Sequence, residues 1–167
     1  MKFELDHDFL RRARVPLDSE DLRLGLSLGL ISAPTAVAMA FDVLSAGSSD
    51  PTILALAQVD RGDIAAVREC LRAVDPEEAE LFPPAAVRKW TYLELTAAYE
   101  VRDRLRDPLG VVEQIYADFD YPAGVAEFVR YMPPPPGAPT GEAALFDRWA
   151  KYLASEAAEL SSGDAQL

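Results

Sequence analysis

Apolar residues recur at helical spacing along most of this chain, and capping and turn residues divide them into segments. The sharpest pattern lies in residues 107–132, DPLGVVEQIYADFDYPAGVAEFVRYM. Asp107 suits an N-cap, where its carboxylate accepts backbone N–H bonds that the first helical turn leaves free. Pro108 suits the first helical position, because the N–H it lacks would have had no partner there. Val111, Ile115 and Phe119 then recur four residues apart, with Val112 and Tyr116 beside them, which makes one apolar helical face. Asp118, Phe119, Asp120 and Tyr121 break that face, and Pro122 disfavours helix at Tyr121. A second short helix is predicted next, with Val125, Phe128, Val129 and Met132 inward, and the prolines at 133–136 stop it. The stretch predicts a helix, a tight corner crowded with aromatics, and a helix.

The same signals order the rest of the chain. Residues 1–17 read as an N-terminal arm, in which Phe3, Leu5, Phe9 and Leu10 suit a short strand or a packed segment. Asp18 starts the first clear helix, with Glu20 and Asp21 complementing the dipole of its first turn, and Gly29 ends it. Ser32, Ala33 and Pro34 start the next, which carries Val37, Ala38, Phe41 and Leu44 and closes at Gly47. Asp50-Pro51 opens a short helix to about Val59. Ile64, Val67, Leu71 and Val74 mark a further apolar face, and Asp75-Pro76 repeats the capping device. Pro83-Pro84 precedes the longest predicted helix, residues 85–105. Trp90, Leu93, Ala97, Val101 and Leu105 mark one of its faces and Tyr92, Leu95 and Tyr99 a second, so it should be packed from both sides. Residues 133–140, PPPPGAPT, read as a stiff spacer. A last helix over 141–160 turns Leu145, Phe146, Trp149, Leu153, Ala157 and Leu160 inward, and residues 161–167 should fray.

No alternation of strand type runs for any length after residue 17. The prediction is an all-α fold, a single domain of seven or eight helices stacked as antiparallel hairpins. A solenoid-like stack is one form of that, although no sequence repeat marks it. The main helical domain with its arm spans 1–132, and the C-terminal helix packs on the same domain.

Composition narrows the class. Half of the 167 residues are hydrophobic, so the chain can bury a core. The 16 basic and 28 acidic residues leave a net charge of −12. Such a surface repels phosphate backbones and anionic lipid and favours a basic or neutral partner. One cysteine excludes an intrachain disulfide, the first residues carry acids ahead of any apolar run, and no stretch is apolar enough to span a bilayer. A cytoplasmic protein binding neither nucleic acid nor membrane is expected.

Familiar chemistries find few carriers. The spacing of residues 18–47 resembles a helix-turn-helix, but its second helix, PTAVAMAFDVL, has no Lys, Arg, Asn or Gln to touch bases or phosphates. The single histidine, His7, lies in the arm and reads as polar surface; Cys70 sits beside an apolar face and reads as a small buried hydrophobe. Zinc-ligand sets, phosphate-binding loops and nucleophile elbows are absent. Glu113, Asp118 and Asp120 form a carboxylate group for metal or acid–base work. The plainer reading is that Asp118 and Asp120 cap and solvate a corner, which Phe119 and Tyr121 pin to the core. Trp149, with Tyr152, either packs inward or faces a partner. No cofactor, metal ligand or catalytic residue is assigned.

The segments DLRLGLSLGLISAPTAVAMA, DPLGVVEQIYADFDYP and EFVRYMP together resemble a bacterial family known as domain of unknown function 2247. The resemblance covers about residues 18–133 and leaves the Pro-rich spacer and last helix outside. It implies a small cytoplasmic bacterial protein and supplies no activity, cofactor or catalytic residue.

The expected function is a non-enzymatic protein-binding module of immunity type, neutralising a toxin by offering an acidic face to a basic partner. Glu113, Asp118, Asp120, Tyr121 and Trp149 are the candidate binding residues. One alternative is a carboxylate enzyme, Mg²⁺-dependent, at the Asp118/Asp120 corner. Another is an oligomerising structural subunit.

Overall fold

The computed structural model describes residues 2–72 and 82–162. Eight α-helices and no strand are found among them: α1 His7–Ala13, α2 Ser19–Ser27, α3 Ala33–Ser45, α4 Pro51–Ala57, α5 Ile64–Arg72, α6 Pro84–Glu100, α7 Pro108–Asp118 and α8 Glu142–Ser162. Short 3₁₀ turns occupy Arg102–Arg104 and Ala126–Phe128. The fold is all-α. The predicted Asp75-Pro76 helix start, Val74 and the last five residues of the tail lie outside the described residues.

The capping devices form as their chemistry requires. Asp18, Ser32, Asp50 and Asp107 each accept a backbone N–H in the first turn of α2, α3, α4 and α7. Asp18 and Asp21 complete a reciprocal capping box. Residues 1–17 differ from expectation, because Asp6 accepts the Phe9 N–H and caps α1. That turns Phe9 and Leu10 into the core as helix and leaves no strand there. His7 is on this helix, with Nε2 2.7 Å from Asp42.

The chain forms two compact units, Glu4–Trp90 and Thr91 onward with Lys2 and Phe3, dividing within α6. In the first, α3 packs most closely on α4, and α5 packs on α2, α3 and α4. Leu22, Leu24, Leu30, Ile53, Leu56, Val67 and Trp90 are fully enclosed. The Trp90 indole donates to the Asp21 carbonyl at 2.9 Å. Gly25 of α2 lies against that ring, where a Cβ would come within 2.3 Å of it. Two polar side chains follow the core inward: Asp21 is buried, with Lys89 Nζ 2.6 Å away. Two apolar residues placed on inward faces from their spacing, Phe41 and Ile64, are instead exposed.

In the second unit, α6 is buried at 91–95 and at Ala97 and Ala98, as the two-faced pattern requires. It stops at Glu100 rather than Leu105. Arg102 donates to the Tyr99 carbonyl at 2.7 Å and lies 4.0 Å over the Tyr99 ring, which takes up a carbonyl that another helical turn would have used. The predicted helix after Pro122 is a run of i→i+3 bonds, from Val125 to Pro122, Ala126 to Ala123, Phe128 to Val125 and Val129 to Ala126. The chain there is wound too tightly for α-helix, yet Val125, Phe128 and Val129 are buried as expected. α8 closes over this turn, with Trp149 stacked on Phe128 at 6.3 Å and edge-on to Tyr99 at 5.0 Å.

Candidate functional site

The corner after α7 is a helix stop of known type built from an unusual residue. The Tyr121 N–H reaches back to the Tyr116 carbonyl at 2.8 Å, and the Asp120 N–H to the Ala117 carbonyl at 3.3 Å. This pairing is the Schellman motif, whose turning position needs a positive φ and is usually glycine. Here Asp120 holds it, at φ 59°, and Tyr121 follows at φ 59°. Aspartate tolerates that region better than most residues; a tyrosine there is strained. The motif is normally accompanied by an apolar contact between its ends. The Tyr121 ring accordingly stands edge-on to Tyr116, with centroids 5.2 Å apart. It is still 57% exposed, so it does not pin the corner to the core; buried Phe119 does that.

A second ring joins from the far side of the loop. Tyr131 lies 6.5 Å from Tyr116 and is 60% exposed. The residue before it ties this part of the loop to α7. The Arg130 guanidinium donates from Nη1 and Nη2 to Asp107, at 3.1 and 3.0 Å, and from Nε and Nη2 to Glu113, at 2.7 and 2.9 Å. One planar fork thus ties the start of α7 to the loop, a geometry that lysine cannot reproduce. The Gly110 N–H, then Arg130, hold the Asp107 carboxyl below its usual range. The Tyr131 phenol is pushed above its usual range, first by partial desolvation and then by Tyr116, Tyr121 and Glu113 around it. Beyond Arg130, Leu109, Met132, Leu145 and Arg148 line an open groove of about 310 Å³. Arg148 is spent on backbone, donating to the Glu127 and Pro139 carbonyls.

The five predicted residues therefore separate. Glu113 and Tyr121 both lie close enough to Tyr131 to raise its phenol pKa, and Tyr121 and Tyr131 each pair with Tyr116. Asp120 is exposed at the corner beside Tyr121, and Asp118, the last residue of α7, is exposed too and is among the charges acting on Glu94. Trp149 is 0% exposed and belongs to the core, so its indole is not offered to a partner. Among the described residues no group of three or more His, Cys, Asp or Glu is placed to hold a metal. Asp118 and Asp120 make no salt bridge there, since Arg130 is engaged by Asp107 and Glu113.

Three residues were missed from sequence. Tyr131 and Arg130 carried a signal, because Arg130 is the one base among five acids in residues 107–132. The third is Glu94, a carboxylate with 0% exposure in α6. One of its oxygens accepts the Phe3 N–H at 3.1 Å, and the other has no hydrogen-bond partner among the described residues. Burial pushes its pKa up to about 7, against the lowering effect of the Phe3 N–H and Lys2. Its position four residues after Trp90, in an apolar run, was the available clue.

The chain matches the family described as "Uncharacterized protein conserved in bacteria (DUF2247)" over residues 7–157. The match extends beyond the stretch expected from the sequence motifs, taking in α1, the Pro-rich run and most of α8. No curated protein and no solved structure matches the chain.

Proposed function

The chain belongs to the DUF2247 family of bacterial proteins, and we propose that it is a non-enzymatic protein-binding module of immunity type. In this reading the surface around Tyr121 and Tyr131 docks a basic protein and blocks it. One observation carries the proposal: Tyr121 and Tyr131 stand more than half exposed, and Asp118 and Asp120 of the same corner make no salt bridge among the described residues, on a chain with a net charge of −12. Tyrosine gives a large contact area with few rotors to freeze, and is over-represented among residues that dominate interfaces. Strain at Asp120 and Tyr121 supports the same reading, since strained backbone concentrates where a side chain must be presented. Negative charge around the rings speeds encounter with a basic partner and rejects acidic ones. A toxin that acts on nucleic acid is such a partner, because its own substrate site is basic.

The alternative is a carboxylate enzyme at the Asp118/Asp120 corner with Mg²⁺. Glu94 favours it to this extent: a carboxyl with a pKa near 7 suits proton transfer, and Asp118 is among the charges that act on it.

The test is capture from a bacterium that carries the protein, with an Asp118→Ala/Asp120→Ala variant alongside, followed by reconstitution from purified components. The expected result is one stoichiometric partner of net positive charge, lost or weakened in the variant. Absence of any such partner, together with Mg²⁺-dependent stabilisation of the wild type that the variant lacks, refutes the binding reading.

A further inference from the structure

We propose that Tyr121 and Tyr131, standing over Tyr116, receive a single arginine side chain projecting from a basic protein partner. The inference rests on the binding reading above and names the group that the site takes.

Three features of the surface favour a guanidinium. The first is the arrangement of rings. Tyr116 is buried and lies at the centre, with Tyr121 edge-on at 5.2 Å and Tyr131 tilted at 6.5 Å. Ring faces and edges are therefore offered in more than one direction around one spot. A planar cation can stack on such a surface and is attracted by the negative face of each ring. The second is charge. Residues 107–132 carry five carboxylates and one base, and that base is consumed by two of the five. Among the described residues Asp118 and Asp120 make no salt bridge, so the segment keeps an excess of negative charge. Asp120 is exposed and immediately precedes Tyr121, so its carboxylate is the acid nearest in the chain to that ring. The third is preorganisation. Tyr131 follows a residue whose side chain makes four hydrogen bonds to Asp107 and Glu113 at the start of α7, and the Tyr121 backbone is set by the helix stop. Less backbone freedom is then lost on binding than from an untethered loop.

A neutral apolar segment would gain the ring contacts but offer nothing to the Asp120 carboxylate next to Tyr121. A second copy of this chain would bring its own excess of acids to an acidic face. An arginine satisfies both the rings and the carboxylates.

The test uses the full-length protein with its tyrosine rings isotopically labelled, and two blocked peptides that differ only in arginine against citrulline. The arginine peptide is expected to shift the ring signals of Tyr116, Tyr121 and Tyr131, and citrulline to bind about tenfold more weakly, the scale of a partly desolvated cation–π contact. Tyr131→Ala, a change at an exposed ring that leaves the core intact, is expected to abolish those shifts. Equal binding of the citrulline peptide overturns the inference, as do shifts spread evenly over the acidic surface. Full binding by Tyr131→Ala overturns it too. The two readings fail separately. A captured partner that depends on Asp118 and Asp120 but not on Tyr131 leaves the binding module standing and removes the arginine site. Arginine-peptide binding with no captured partner does the reverse.

Discussion

Replacing Glu94 with Gln should make the protein more stable at alkaline pH and flatten its pH dependence. Among the described residues Glu94 has no exposed surface, one hydrogen bond from a backbone N–H and one unpartnered oxygen. Burial therefore raises its pKa from 4.5 to about 7. Between those values the folded protein holds a proton that the unfolded chain has released, so stability falls as pH rises through the window. Above about pH 7 both states are ionised and the loss is complete. Each pH unit of separation corresponds to about 1.4 kcal/mol, so the full loss is on the order of 3 kcal/mol. Glutamine removes the ionisation and keeps a carbonyl oxygen for the Phe3 N–H. At pH 8.5 the variant should therefore melt higher, by something like 10 °C for a chain of this size. At pH 4.5 the wild-type side chain is itself neutral, and the advantage should vanish. Melts followed by tryptophan fluorescence from pH 4.5 to 9 measure both ends, since Trp90 and Trp149 are fully buried. Asp21 leaves a residual slope of the same sign in the variant, because burial raises its pKa from 3.8 to about 6 despite Lys89. A difference between wild type and Glu94→Gln that is the same at pH 5 and pH 8.5 would refute the reasoning. So would a variant less stable than wild type at pH 8.5.

Three further substitutions probe the packing and the corner. Gly25→Ala forces a methyl into the Trp90 ring, and overpacking of this kind costs about 1–3 kcal/mol; chemical denaturation should show it even though alanine is the better helix former. Trp149→Ala should cost about 3–5 kcal/mol, read as a lower denaturation midpoint, because a fully buried indole is removed from against Phe128 and Tyr99; unchanged stability with lost partner binding would put Trp149 back at the interface. Asp120→Gly relieves a positive φ and should raise stability by about 0.5–1 kcal/mol while weakening the partner complex. Stability and binding moving together in that variant would argue that the corner is only a helix stop.

What could be read from the sequence was local. α2, α3, α4 and α7 were placed correctly because a side chain two or three residues away caps each start, and in three of them a proline stands beside the cap. α1 has the same device in Asp6, but it carries only Phe9 and Leu10 inward, too short an apolar run to show a period. The premature end of α6 depends on Arg102 folding back onto Tyr99, a side-chain choice that no apolar pattern records. Long pairings were hidden for the same reason. The sequence marks Asp21 only as a first-turn acid complementing the helix dipole, and nothing in it announces the buried pairing with Lys89, 68 residues on.

The candidate site lies between these cases. Its corner was legible, because acids interrupting an apolar face just before a proline must end the helix. Its content was not, because Tyr116 and Tyr131 are separated by the whole corner and come together only when Arg130 closes the loop onto Asp107 and Glu113. Charge counting recovers part of it. With one base among five acids, Arg130 can neutralise at most the carboxylates within reach of one fork, and the bidentate geometry makes that two. Asp107 already sits at the N-cap, and Glu113 lies less than two turns further along the same helix. Pairing those two leaves the acids at the other end, Asp118 and Asp120, without a cation. The electrostatics that make this corner a candidate for a basic partner thus follow from the position of one arginine, and the loop that those bonds tie to α7 carries the exposed Tyr131.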